Sequence, residues 1–245
     1  MRLRQFRRAV ALGLVLILCL VRFWLARLRG PMTLKRRALW MQRCCRHVLA
    51  SLGIHCQVEG TPPTHGLVVA NHLSYLDILI LSSAMPCFFI AKMEIARWPY
   101  FGCTARMGGT IFLNRSSVAS AQKVAGIMSE RFRLGVPVLL FPEGTSTDGA
   151  KVLRFHSRLI DPATTAGVPI TTAALRYTIA DGTPERELCW FGDTLFFPHM
   201  VRALAVKGFS AQVQFGEAKI YANRRQAAER THDEIASMRE KDSRQ

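Results

Sequence analysis

From residue 53 onward, seven short β-rich runs alternate with helical stretches, and this alternation admits few architectures. The runs are His55–Glu59, Gly66–Ala70, Cys87–Ala91, Thr110–Leu113, Pro137–Phe141, Ile170–Tyr177 and Ser210–Gly216. Helical apolar spacing falls at Tyr75–Ala84, Val118–Arg133 and Asn223–Arg239, and less regularly at Pro198–Val206. Strands interleaved with helices predict an α/β fold, its sheet covered by helices on both faces. With 245 residues, 49% hydrophobic and only 20% charged, the chain can bury one sizeable core, which excludes a disordered or fibrous protein. The expected division is an arm over 1–52 and a domain over 53–245, meeting near Gly53. In sheets of this kind functional groups gather in the loops at strand ends.

The formal net charge of +16 is unevenly placed. Of 33 Lys and Arg residues, twelve precede Glu59, the first acidic residue; the remaining 21 face 17 acidic ones, a net of +4. A nucleic-acid-binding protein would spread its charge over the folded body, with stacking aromatics among it. Here the excess surrounds an unbroken apolar run, Ala9 to Val21, continued after Arg22 by Phe23-Trp24-Leu25-Ala26. As a helix, Ala9 to Ala26 reaches about 27 Å, slightly short of the roughly 30 Å hydrocarbon layer. Arginines flank both ends, and Phe23 and Trp24 suit the headgroup level. No small-x-small cleavage site follows the run, which argues against a removed signal peptide. Thr33 can cap a second helix with Leu34, Ala38, Met41, Cys45, Val48, Leu49 and Leu52 on one side. Lys35, Arg36, Arg37, Gln42, Arg43 and Arg46 form the other, the pattern of a helix on an anionic membrane surface. The arm is therefore expected to be membrane-associated, and the sequence leaves both spanning and lying in one leaflet open. The seven cysteines show neither C-x-x-C spacing nor a histidine-ligand pattern. Most lie in apolar surroundings, as small buried hydrophobes do, and they read as reduced, which places the domain in the cytosol, with no metal site.

Three segments carry chemistry. Asn71-His72-Leu73-Ser74-Tyr75-Leu76-Asp77 directly follows the strand Leu67–Ala70. On one regular helix, residues five apart point about 140° from each other. A turn at Leu73-Ser74 instead lets Asp77, in the first helical turn, face back to the His72 imidazole. The carboxylate would then hold the ring's tautomer and make His72 a general base towards a hydroxyl. Spacing alone also fits an Asp that merely caps the helix with Ser74 beside an ordinary loop histidine. Gly109-Thr110-Ile111-Phe112-Leu113-Asn114-Arg115 is a strand that ends in a planar fork suited to phosphate or carboxylate. Phe141-Pro142-Glu143-Gly144-Thr145 follows a buried-type strand, and its tight turn is expected to present the Glu143 carboxylate outward.

Each segment is weak alone. In this order, joined by Lys92-x-Glu94-Ile95, Trp98-Pro99-Tyr100-Phe101-Gly102, Val168-Pro169-Ile170 and Phe215-Gly216-Glu217, they resemble the lysophospholipid and glycerol-phosphate acyltransferase family, over roughly Leu67 to Ile235. The likeness is greatest to bacterial 1-acyl-glycerol-3-phosphate acyltransferases. It implies a glycerol-phosphate acyltransferase-like α/β fold, a mixed sheet flanked by helices, and direct acyl transfer from acyl-CoA or acyl-carrier protein to a lysolipid hydroxyl in the bilayer, yielding phosphatidic acid. It further implies His72 as base, Asp77 as its orienter, and Arg115, Glu143, Gly144, Thr145 and Lys92 as acceptor-binding residues, with no metal, no cofactor and no nucleic acid. The expected location is the inner cell membrane, with the domain on the cytoplasmic side. The chain contains no Gly-x-Ser-x-Gly elbow, in keeping with transfer without an acyl-enzyme. Two departures bear on the acceptor. Ser146-Thr147-Asp148-Gly149 stands where many members have an Arg after Glu-Gly-Thr, and Ala173 where Pro is usual. The first looks closer to members that acylate lyso-ornithine lipids or other lysophospholipids, which stay open as alternatives.

Overall fold

The computed structural model describes residues 3–114 and 118–241. Two long helices come first, α1 (Leu3–Leu28) and α2 (Leu34–Leu52). Seven strands follow: β1 (His55–Glu59), β2 (Leu67–Ala70), β3 (Phe88–Lys92), β4 (Ile111–Leu113), β5 (Val138–Leu140), β6 (Ile170–Ile179) and β7 (Phe209–Phe215). The remaining helices are α3 (Leu76–Ala84), α4 (Phe101–Gly108), α5 (Val118–Arg133), α6 (Asp161–Thr165), α7 (Phe196–Ala205) and α8 (Arg224–Lys241). All seven expected strands are present. The strands form one sheet in the order β1-β7-β6-β2-β5-β3-β4, and every pairing is parallel except β6 with β7. The sheet is mixed, as expected.

Side chains alternate across the pleat, so one strand feeds two core layers. Leu67 and Val69 of β2 join Val138 and Leu140 of β5 beneath α5 and α8, where Val124, Met128, Ala227 and Ile235 meet them. Val68 and Ala70 face the other way, into a layer with Ile80 and Leu81 of α3 and with Val48, Leu49 and Leu52 of α2. Fully burying such aliphatic side chains contributes about 1.5–3 kcal/mol each, which holds the central strands dry on both faces. Gly53 ends α2 with φ 68°, and α2 packs into the same core layer as the sheet.

Thr33 caps α2 by accepting the Arg36 N–H at 3.4 Å. The polar side of α2 departs from expectation at Gln42, which is buried and donates to Ser83 O and Ala84 O at the end of α3. Arg46 Nε donates to Ser83 O at 2.8 Å. These two side chains satisfy carbonyls that a helix C-terminus leaves open. α1 lies along the body. Trp40 Nε1 donates to Cys19 O at 3.0 Å, Tyr100 Oη donates to Leu16 O at 3.0 Å, and Arg4 and Arg8 reach carbonyls at the end of α7. Cys19 and Phe23 are buried, whereas Phe6, Val10, Leu14, Ile17, Val21 and Trp24 are exposed at three- and four-residue intervals.

α4 was not expected from the sequence, because its two glycines and Thr104 are poor helix formers. A Cβ at Gly102 would sit 2.5 Å from Ala96 O, so this turn needs a glycine to pack against the chain before it.

Candidate active site

Three central strands supply the site: β2 lies between β6 and β5. At the end of β2, Asn71 continues the ladder with its side chain, donating to Leu175 O at 3.2 Å and accepting from Leu175 N at 2.7 Å. This fixes where the strand stops and the turn begins. His72 Nδ1 lies 2.7 Å from Asp77 Oδ2, which also accepts the Leu73 N–H at 2.7 Å and the Ser74 N–H at 3.0 Å. Asp77 is fully buried, and the His72 side chain retains 18% exposure. The turn thus brings the two together, and the same carboxylate also accepts main-chain donors ahead of α3. With Nδ1–H given to the carboxylate, the neutral ring presents Nε2 as an acceptor.

The imidazole stacks on Phe141, centroid to centroid 4.1 Å and 15° from parallel. Its backbone is gripped on both sides: the His72 N–H donates to Glu143 Oε1 at 2.7 Å, and His72 O accepts the Thr147 N–H at 2.9 Å. The Glu143 carboxylate does not point outward as the sequence suggests. It is buried, and its second oxygen accepts the Leu153 N–H at 2.8 Å. The reason is the sheet order: because β5 lies beside β2, the loop after β5 abuts the loop after β2, and two main-chain N–H groups draw the carboxylate in. Burial pushes the Glu143 carboxyl up, against the lowering effect of the Leu153 and His72 N–H groups. Gly144 follows with φ 77°, a left-handed turn that suits glycine, and its N–H returns to Phe141 O at 3.1 Å.

His72 opens onto a cavity of about 260 Å³, walled by Tyr75, Leu79, Phe89, Trp98, Phe101 and Phe196. Lys92, at the exposed end of β3, and Gly144 and Thr145 also line it. A second apolar cavity of about 90 Å³ shares the Tyr75, Leu79, Phe101 and Phe196 walls and extends to Leu12 and Leu16 of α1. Arg115 lies outside the described residues. Ser146, in place of the Arg of many members, donates its hydroxyl to Trp190 O, and the Trp190 N–H in turn reaches Leu73 O at 2.8 Å.

A family model for acyltransferases matches residues 54–176, half of the chain. The chain belongs to the acyltransferase family. Among curated relatives of this acyltransferase, the lyso-ornithine lipid O-acyltransferase of Rhodobacter capsulatus is 38% identical over 167 residues, 66% of this chain and 60% of that protein. The enzyme of the same name from Pseudomonas aeruginosa is 32% identical over 219 residues, covering 86% and 83%. The 1-acyl-sn-glycerol-3-phosphate acyltransferase of Neisseria meningitidis is 38% identical over 135 residues, covering 54% and 53%. In fold, this acyltransferase is similar to the crystal structure of the 1-acyl-sn-glycerophosphate acyltransferase of Thermotoga maritima, with a TM-score of 0.71 at 19% identity over 99% of each chain.

Sequence reasoning missed five contributors to this geometry, among them Tyr177, whose hydroxyl donates to Asp77 Oδ1. Asn71 and Thr147 fall within the segments singled out from the sequence, but nothing there says which main-chain groups they bond. Trp190 and Phe196 sit far along the chain, with no local signal beyond being aromatic. Tyr177 reads as an ordinary strand residue.

Proposed function

We propose that this acyltransferase moves a fatty acyl group from acyl-CoA or acyl-carrier protein to the free hydroxyl of a lysolipid held at the bilayer. One observation carries the reading: a buried carboxylate holds Nδ1 of a histidine whose ring borders an apolar cleft. His72 Nε2 takes the acceptor hydroxyl proton as that oxygen attacks the thioester carbonyl. The C–S bond then breaks, and the thiolate leaves with the proton from the imidazolium, which Asp77 stabilises meanwhile. The donor is a co-substrate, and the scheme calls for no metal or cofactor. The acyl chain occupies the apolar cleft, and Glu143 acts by holding the His72 backbone. Lys92 and Arg115 offer the cations for an anionic headgroup.

1-Acyl-glycerol-3-phosphate is the first acceptor to consider. A lyso-ornithine lipid is favoured by a specific observation, the Ser146 hydroxyl bound to Trp190 O where many members place a further phosphate-binding Arg. Two of the relatives above bear that name and align over longer stretches than the Neisseria enzyme.

The exposed apolar stripe of α1, with Leu195 and Phe197 exposed at 71% and 70% at the start of α7, supports a bilayer-facing side. Because α1 is held along the body, we place it within one leaflet, on the cytoplasmic side of the inner membrane, where thioester donors are made. The test is a panel of purified lysolipids, including both acceptors, with one radiolabelled donor and His72→Ala as control. Diacyl product from the wild type and none from the variant is expected. Substantial product from His72→Ala would sink the general-base mechanism.

A further inference from the structure

Asp77 has two carboxylate oxygens, and the mechanism above accounts for one. Oδ2 takes the imidazole and two main-chain N–H groups. Oδ1 takes the hydroxyl of Tyr177, which reaches it from β6, 100 residues further along the chain. Tyr177 is buried at 3% exposure, and its ring packs edge-on against Phe209. It does not line the cleft, so it touches no substrate. Its own main chain is anchored: the Tyr177 N–H donates to Glu185 Oε1 at 2.7 Å, and Glu185 Oε2 pairs with Arg239 Nη2 of α8 at 2.7 Å. Arg239 also donates to Gly149 O at 2.8 Å, tying this anchor to the loop that follows Glu143.

We propose that Tyr177 is a positioning residue of the His72–Asp77 pair, fixing the carboxylate's rotation and drawing charge from it so that the imidazolium can release its proton to the leaving thiolate. The inference rests on His72 acting as the base. A carboxylate free to rotate about its Cβ–Cγ bond would present the imidazole with a changing partner. With Oδ1 tied to β6, Oδ2 stays on Nδ1. A carboxylate that shares its charge with a phenol also grips the imidazolium less tightly. That favours the second half of the reaction, in which the ring gives up its proton.

The charged and titratable groups around the carboxylate are His72 after β2, Glu143 after β5, Tyr177 on β6, and Glu185 and Cys189 before α7, with Arg239 on α8 behind Glu185. Burial and the adjacent Asp77 push the Tyr177 hydroxyl well up, so it remains a proton donor throughout any assay range.

The test is the pH profile of kcat in full-length enzyme carrying Tyr177→Phe, and separately with 3-fluorotyrosine placed at position 177 by codon suppression. Tyr177→Phe should lower kcat about tenfold, with both KM values within about twofold of wild type, as expected for one lost bond to a charged group. It should also move the acid limb to higher pH, because the unshared carboxylate holds the imidazolium proton more tightly. Fluorotyrosine, a stronger donor, should move that limb to lower pH without removing any contact. Opposite displacements support the inference. An acid limb unmoved in both, or a change confined to KM, overturns it. If Tyr177→Phe does not fold, the direction of the fluorotyrosine limb decides alone. A His72→Ala enzyme that stays active overturns the base reading and this inference with it, whereas an inactive one with unmoved limbs overturns the role of Tyr177 only.

Discussion

Replacing Glu143 by Gln separates an internal tie from a headgroup ligand. The Glu143 carboxylate accepts two main-chain N–H bonds, from His72 at 2.7 Å and from Leu153 at 2.8 Å, and only 3% of the residue is exposed. Each bond to a carboxylate is worth about 1.5–3 kcal/mol. An amide keeps one acceptor and turns a donor toward the other N–H, so one bond is lost outright. Relief from burying a charge, which already pushes this carboxyl up, offsets part of the loss. The net cost should be about 1–3 kcal/mol, or about 2–12 °C in the unfolding midpoint for a chain of this size. The raised carboxyl sets the pH trend. As pH rises from the ordinary carboxylate range to the raised folded value, the folded chain holds more protons than the unfolded one. Wild-type stability from this group therefore falls over that window, while the Gln variant lacks the slope. Scanning calorimetry in detergent, paired with initial rates against acceptor concentration, reads both quantities. A lower midpoint and lower kcat with unchanged acceptor KM is expected, because the His72 backbone loses a clamp. An acceptor KM raised tenfold or more with the midpoint unmoved would refute the internal-tie argument and return Glu143 to the headgroup.

Two further outcomes are expected. Arg115→Ala should raise the acceptor KM about tenfold for an anionic lysolipid and leave the donor KM alone, since a planar fork on phosphate or carboxylate is a charge-assisted contact; steady-state kinetics with each substrate varied in turn checks it. Leu79→Trp, at the wall shared by the two cavities, should cut kcat/KM for long-chain donors about fiftyfold while sparing octanoyl donors, because excluding three methylenes at about 0.8 kcal/mol each amounts to that factor. A uniform loss across chain lengths in a donor series would remove the acyl chain from this cleft.

The strands were legible because buried β-branched and aliphatic runs such as Leu67–Ala70 and Val138–Leu140 are bounded by glycine and proline. The meeting of His72 and Asp77 was legible for a similarly local reason, since five residues with a turn between them close on themselves. What escaped depended on which strands become neighbours. Nothing near Glu143 says that its loop will lie against His72, and nothing near Tyr177 says that β6 will flank β2. Gln42 looked like a surface residue because its partners, the carbonyls at the end of α3, are some forty positions away. α4 was hidden by Gly102 and Gly108, whose packing role outweighs their helix propensity.

The sheet order has a consequence for how activity appears during folding. The Glu143 and Tyr177 ties to the dyad cross 71 and 100 residues of chain, on strands that pair with opposite edges of β2. Such parallel, non-local pairings form late, because their loop-closure entropy precedes their reward. The helices and the local turn that joins His72 to Asp77 can appear much earlier, so a collapsed chain with abundant secondary structure still lacks a fixed dyad. Regain of turnover during refolding thus reports closure of the central three strands and trails the recovery of helical signal.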